Sequence, residues 1–372
     1  MMGLFVALLC ACSGNRVGQT DSEVPDSLYL LVGSYASPDS QGIKVYRFST
    51  ESGELQYVSG LRGISNPSYL AVSRNGSRIY AVGEDEDTTA TANFLSFDSE
   101  KGSLAVENSQ PALGGSPCYI ALDPDERHVL TANYFGGNIT VFPLDSAGRL
   151  SPGRTVAFSG SSVDPERQTH PYLHCVYFTP DGRYLLANDL GTDRIHVFPA
   201  GGDAFPDEAA MRDVCLRPGS GPRHACFAPD GRHAYLVTEL SGEVVTLSYD
   251  GRSFDTVQCL RADTLGARGS ADIHISPDGR FVYASNRLKG DGIAIFSVDS
   301  VSGMLTKVGY QPTAVHPRNF VLSPDGRYLL VACRDENVIQ LYARNSETGL
   351  LVFTGKAFQT PQPVCLKFIQ PV

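Results

Sequence analysis

PYLHCVYFTPDGRYLLANDLG, residues 171–191, sets two apolar arms on either side of a Pro-Asp-Gly step. Proline presets φ, the aspartate side chain can accept from the backbone ahead of it, and glycine can take φ > 0. The triplet therefore suits a tight turn between two strands. Related steps recur: SRNGSR begins at 73, DPDERH at 123, TPDGRY at 179, APDGRH at 228, SPDGRF at 276 and SPDGRY at 323, at intervals of 50, 56, 49, 48 and 47 residues. A third apolar run follows most copies, as in GNITVFPL, DRIHVFPA, GEVVTLSY, DGIAIFSV and ENVIQLYA. A Gly-Leu or Gly-x-Leu step, at 148, 303 and 349 among others, then leads into a fourth run.

Four short strands about every 48 residues, rich in Val, Ile, Tyr and Phe and without helical periodicity, predict the blades of a β-propeller. Six anchors give six blades. QPVCLKF (362–368) matches the first arm of a blade, and LYLLVGSYA (28–36), GIKVYRF and GELQYVS match its second, third and fourth runs. The expected fold is all-β: a seven-bladed propeller of four-stranded antiparallel blades, closed by a blade shared between the two termini. Residues 28–372 then form a single domain.

Composition sets outer limits. The chain has 372 residues, 42% apolar and 19% charged, with a formal net charge of −10. A core of some size can form, and a nucleic-acid partner, which requires a basic face, is excluded. MMGLFVALLCACSGN resembles a bacterial lipoprotein leader ending at a lipobox. Residues 1–11 are expected to be a signal peptide, Cys12 the lipid anchor and residues 12–27 a tether. That places the protein in the bacterial cell envelope, facing the periplasm and touching the membrane only through the anchor; the alternative is a cytoplasmic protein with an apolar tail. Beyond Cys12, seven cysteines remain, mostly within apolar runs and without CxxC spacing, and are expected to be buried thiols rather than disulfides or metal ligands.

Strand one of each blade lines the pore, and the hairpin returns the end of strand two to its start. Five residues before each anchor stand Ser68, Cys118, His174, Arg223, Ala271, Arg318 and, in the shared blade, Val364. Eleven residues after it stand Glu84, Tyr134, Leu190, Glu239, Arg287 and Arg334, with Tyr35 in the shared blade. One residue earlier come Asn133, Asp189 and Asn286. These positions gather an imidazole, guanidinium groups, carboxylates and tyrosines at one mouth. Arginines there are costly unless paired or holding an anion. The 56-residue interval adds a loop on the same face, GSSVDPERQTHPYLH (160–174), bringing Arg167 and His170. His224 and His274 lie on strand one of their blades, between core packing and site lining.

DPERQTHPYLHCVYF, DLGTDRIHVF, GSGPRHACFAPDGRHAYLVTELSGEVV and ADIHISPDGRFVYASNR resemble the seven-bladed propeller lactonases, which include 6-phosphogluconolactonases and carboxy-muconate lactonizing enzymes. The resemblance covers nearly the whole chain. It implies catalytic roles for His174, Arg223, Glu239 and Arg287. Tyr172 and Thr238 depart from the family pattern, which commonly has His and Asn there.

The activity so implied is hydrolysis of a sugar lactone, 6-phosphogluconolactone first. His174 or Glu239 would be the general base, and Arg223 or Arg287 would stabilise the oxyanion. Arg167 or Arg318 would grip the substrate anion, with Asn133, Asp189, His170, His224, His274 and Glu84 around it. No GxSxG motif suggests a serine nucleophile, and no cofactor or metal is implied. The alternatives are a cycloisomerase acting on a carboxylated lactone and a non-catalytic propeller that binds a glycan or protein.

Overall fold

The computed structural model describes residues 25–201 and 205–369; the expected leader, Cys12 and all but the last residues of the tether lie outside that range. Seven four-stranded antiparallel sheets stand radially around a pore, each with strand one innermost. The expected closure is present: Pro363–Ile369 pairs with Ser27–Ser34, followed outward by Ile43–Ser49 and Leu55–Leu61. Leu31 faces Lys367 and Val32 faces Leu366 across this seam.

Position in the ring explains the patterning. Strands two and three are sandwiched between neighbouring blades, so Tyr184–Asp189 and Gly292–Val298 are buried almost throughout. Outermost strands face water on one side, and Phe254–Arg261 alternates with exposed positions accordingly.

The recurring turns follow from local chemistry. Gly182, Gly231, Gly279 and Gly326 take φ of 68–70°. In DPDERH a glutamate fills this position: Glu126 adopts φ 52° and binds the Arg78 side chain at 2.5 Å. The leading Ser, Thr or Asp accepts from the returning backbone, as when Thr179 Oγ1 accepts from the Tyr184 amide at 3.0 Å.

The Gly-x-Leu glycines join adjacent blades. Tyr80, Tyr235 and Tyr283, each buried, donate to the carbonyls of Gly148, Gly303 and Gly349 at 2.8, 2.9 and 2.8 Å. At Gly349, φ is 71° and an added Cβ would stand 2.2 Å from the Phe281 ring.

Five inner strands carry a β-bulge, each leaving one residue out of register: Cys118, His174, Arg223, Arg318 and Val364. In a sixth the irregularity spans Ala271 and Asp272. A bulge turns a side chain out of the pleat. These are the positions that the repeat count placed five residues before each anchor.

Below that level the pore is filled. Tyr69 stacks on Tyr119 with ring centroids 4.1 Å apart, and both meet His224 edge-on. His224 Nδ1 lies 2.8 Å from Asp272 Oδ1, and Asp272 Oδ2 accepts from Asn319. Gly349→Ala is expected to cost about 2 kcal/mol, from the forced positive φ and the clash, seen as a lower Tm in calorimetry.

Candidate active site

One mouth of the pore holds a cavity of about 570 Å³. His174, Glu239, Arg287, Arg167, Arg318 and Glu84 line it, as expected, together with Tyr35, Cys118 and Tyr134 from the same repeat positions. Asn66, Asp85, Glu86, Ser116 and Phe135 complete the wall. These flank the counted positions by one or two residues, so a wider window around each repeat position would have found them.

Glu239 is the electrostatic centre. Its Oε2 accepts from Arg223 Nε at 2.8 Å and lies 3.3 Å from an Arg287 terminal nitrogen, while Oε1 accepts from Arg167 at 2.7 Å. Burial opposes ionisation of Glu239, but Arg287, Arg223 and Arg167 outweigh it and hold the carboxyl at about 2. A carboxylate so pinned is a poor proton acceptor. Arg223 is 1% exposed and sits beneath the cavity wall rather than in it; one terminal nitrogen donates to the Ala271 carbonyl at 2.6 Å.

His174 stands on its bulge with Nδ1 3.7 Å from Cys118 Sγ and its ring edge-on to Tyr134. Nε2 has no protein partner among the described residues, and the side chain lines the cavity. Burial, then the charge of Arg223, pushes this imidazole well below its ordinary value, so it is neutral at physiological pH. Burial raises the Cys118 thiol well above its usual range, which removes it as a thiolate nucleophile.

On the opposite wall Arg318 donates to the Tyr35 hydroxyl at 2.8 Å and lies over its ring. Tyr35 donates to Glu84 at 3.1 Å, and Ser68 donates to the same carboxylate. Burial raises the Glu84 carboxyl, with Arg318 pulling the other way. Four guanidinium groups (167, 223, 287, 318) thus surround two inner carboxylates, Glu84 and Glu239.

Besides Arg223, five expected residues do not line this cavity. Asn133 is buried and donates to Ala112, Asn138 and Thr140 around its own blade. Side chains alternate along a strand, so the residue before the rim position turns into the sheet. Asp189 does the same: it accepts from the amides of Tyr172 and Gly191 at 2.7 and 2.9 Å and from the Thr192 hydroxyl at 2.6 Å, tying the long loop to its blade. His170 packs tilted against Tyr172, with centroids 4.0 Å apart, outside the wall. His224 belongs to the pore filling below. His274 binds Asp272 there at 3.0 Å and meets Phe320 edge-on.

A neutral imidazole open to a cavity beside clustered guanidinium groups defines a propeller equipped for acyl transfer. A family model described as lactonase, 7-bladed beta-propeller, matches residues 29–368, and the chain belongs to that family. It is a lactone hydrolase. A Bacillus subtilis (strain 168) protein named 6-phosphogluconolactonase is 35% identical over 349 residues, 92% of this chain and 98% of its own length. A solved Bacteroides fragilis structure, described provisionally as a 6-phosphogluconolactonase, superposes with TM-score 0.87 at 47% identity, covering 94% of this chain and 99% of that one. The Pseudomonas aeruginosa periplasmic gluconolactonase PpgL superposes with TM-score 0.86 at 32% identity, covering 92% and 99%.

Glu239→Gln strands three guanidinium groups and is expected to cost about 3 kcal/mol at neutral pH. Because folding lowers the Glu239 value from 4.5 to about 2, its stabilisation is complete above 4.5 and lost as pH falls toward 2. The Tm gap between wild type and Glu239→Gln should therefore narrow across that window in calorimetry.

Proposed function

We propose that this chain hydrolyses 6-phosphogluconolactone to 6-phosphogluconate, with His174 as general base and Arg287 meeting the oxyanion. The observation carrying this reading is the pairing of a neutral Nε2, without a protein partner among the described residues, with three guanidinium groups held together by the Glu239 carboxylate. His174 Nε2 takes a proton from water as the oxygen attacks the lactone carbonyl carbon. The carbonyl oxygen becomes an oxyanion beside Arg287, with the buried charge of Arg223 behind it. The intermediate collapses by breaking the ring C–O bond, and the imidazolium returns its proton to the departing ring oxygen. Arg318 and Arg167, on opposite walls, are suited to a phosphate dianion.

We further propose that the mature protein is tethered to the cell envelope through Cys12. That location favours a second reading in which the lactone is unphosphorylated or carboxylated, and the Pseudomonas neighbour is itself named a periplasmic gluconolactonase. Labelling with a palmitate analogue should be abolished by Cys12→Ala.

Kinetics separate the two substrates. kcat/KM for 6-phosphogluconolactone should exceed that for gluconolactone by about tenfold or more, and Arg318→Ala should erase most of the difference. Equal values would favour the unphosphorylated substrate; no rate above the spontaneous one on either would leave a binding protein. Because the His174 value is depressed and the neutral ring is the active form, kcat/KM for gluconolactone should hold as pH falls through 6.5 and decline only well below it. An acid limb centred at or above 6.5 in the pH–rate profile would reject this imidazole as the base.

A further inference from the structure

Arg287 is held at three points. Its Nε donates to the Gly269 carbonyl at 2.7 Å, one terminal nitrogen reaches Glu239, and the other donates to His316 Nε2 at 3.3 Å. His316 has no part in the chemistry described above. It is buried, its φ of 63° is unusual for a side chain of this size, and Asp291 fixes its amide at 2.7 Å. Its Nδ1 lies 3.1 Å from Asp335 Oδ2 and 3.3 Å from an Arg334 terminal nitrogen; with the ring proton on Nδ1, facing Asp335, Nε2 is the acceptor for Arg287. Arg334 lies on the outer side of this carboxylate at 2.6 Å.

The same order occurs on another blade. Asp272 Oδ1 meets His224 Nδ1 at 2.8 Å, and His224 Nε2 accepts from Arg223 at 3.3 Å. Two arginines that flank Glu239 are thus each backed by a histidine, and each histidine by an aspartate. Burial and the neighbouring guanidinium groups push both imidazoles down, so both are neutral. Glu239 is shared among Arg287, Arg223 and Arg167, so it only partly offsets each charge; a second carboxylate placed directly on Arg287 would orient it and also cancel what remains. A neutral imidazole orients it and leaves the charge available to a developing oxyanion.

We propose that Asp335 and His316 are positioning residues for lactone hydrolysis, aiming the Arg287 guanidinium at the reacting carbonyl without neutralising it. The proposal rests on the reading of Arg287 as the group that meets the oxyanion. Asp335 is 43% exposed in its side chain, so it can be replaced without opening the core.

Asp335→Asn should lower kcat about tenfold while KM and Tm stay close to wild type, and Asp335→Glu should restore most of it. The decisive measurement is a double-mutant cycle on the full chain with 6-phosphogluconolactone. In an Arg287→Lys background, Asp335→Asn should cause no further loss. An unchanged kcat in Asp335→Asn, or an equal further loss in the Arg287→Lys background, would overturn the proposal while leaving the catalytic site intact. An Arg287→Lys variant with wild-type kcat would instead remove the reading beneath it.

Discussion

The seam between Pro363–Ile369 and Ser27–Ser34 fixes the position of every other sheet. A radial sheet has no fixed angle by itself; it acquires one only when the ring is complete and each blade is pressed between two others. The seam joins opposite ends of the chain, so it also removes the two edges that an open array would expose. Asn319, in the pore filling, accepts from the Leu366 amide of the closing strand at 2.7 Å. Closure and the floor beneath the site are therefore mechanically linked, and side chains from several blades can converge on a small cavity.

Within that frame the site solves an electrostatic problem. Guanidinium groups buried near one another repel, and burial weakens the screening that water would give them. Glu239 answers by contacting three of them, and Tyr35 and Glu84 do similar work around Arg318. What remains is a row of oriented guanidinium groups on the inner wall of a protein whose overall charge is −10. Their charge is local and fixed in direction, which is the condition for stabilising a transition state rather than merely attracting a ligand.

Much of this was legible in the chain. Spacing between the Pro-Asp-Gly steps gave the blade count and the shared blade, and two fixed offsets gathered His174, Glu239, Arg287, Arg318 and Glu84. Asn133 and Asp189 were misplaced because an offset locates a residue along a strand, whereas the pleat decides which way it points. The bulges at His174, Arg223 and Arg318 were also invisible, since a bulge is a relation between two strands. His316 and Asp335 flank the counted positions Arg318 and Arg334, but their link to Arg287 was invisible for a similar reason: Arg287 lies 29 residues from His316 and on a different blade.

The stacked Tyr69 and Tyr119, with His224, Asp272 and Asn319, turn what could have been a tunnel into a cul-de-sac. Reactant and product must share one doorway. Ring opening creates a fresh carboxylate, so the acid leaves with one more negative charge than the lactone brought in, against the same cations that drew it inward. Turnover in such a vestibule is tied to how weakly those arginines hold what they have made.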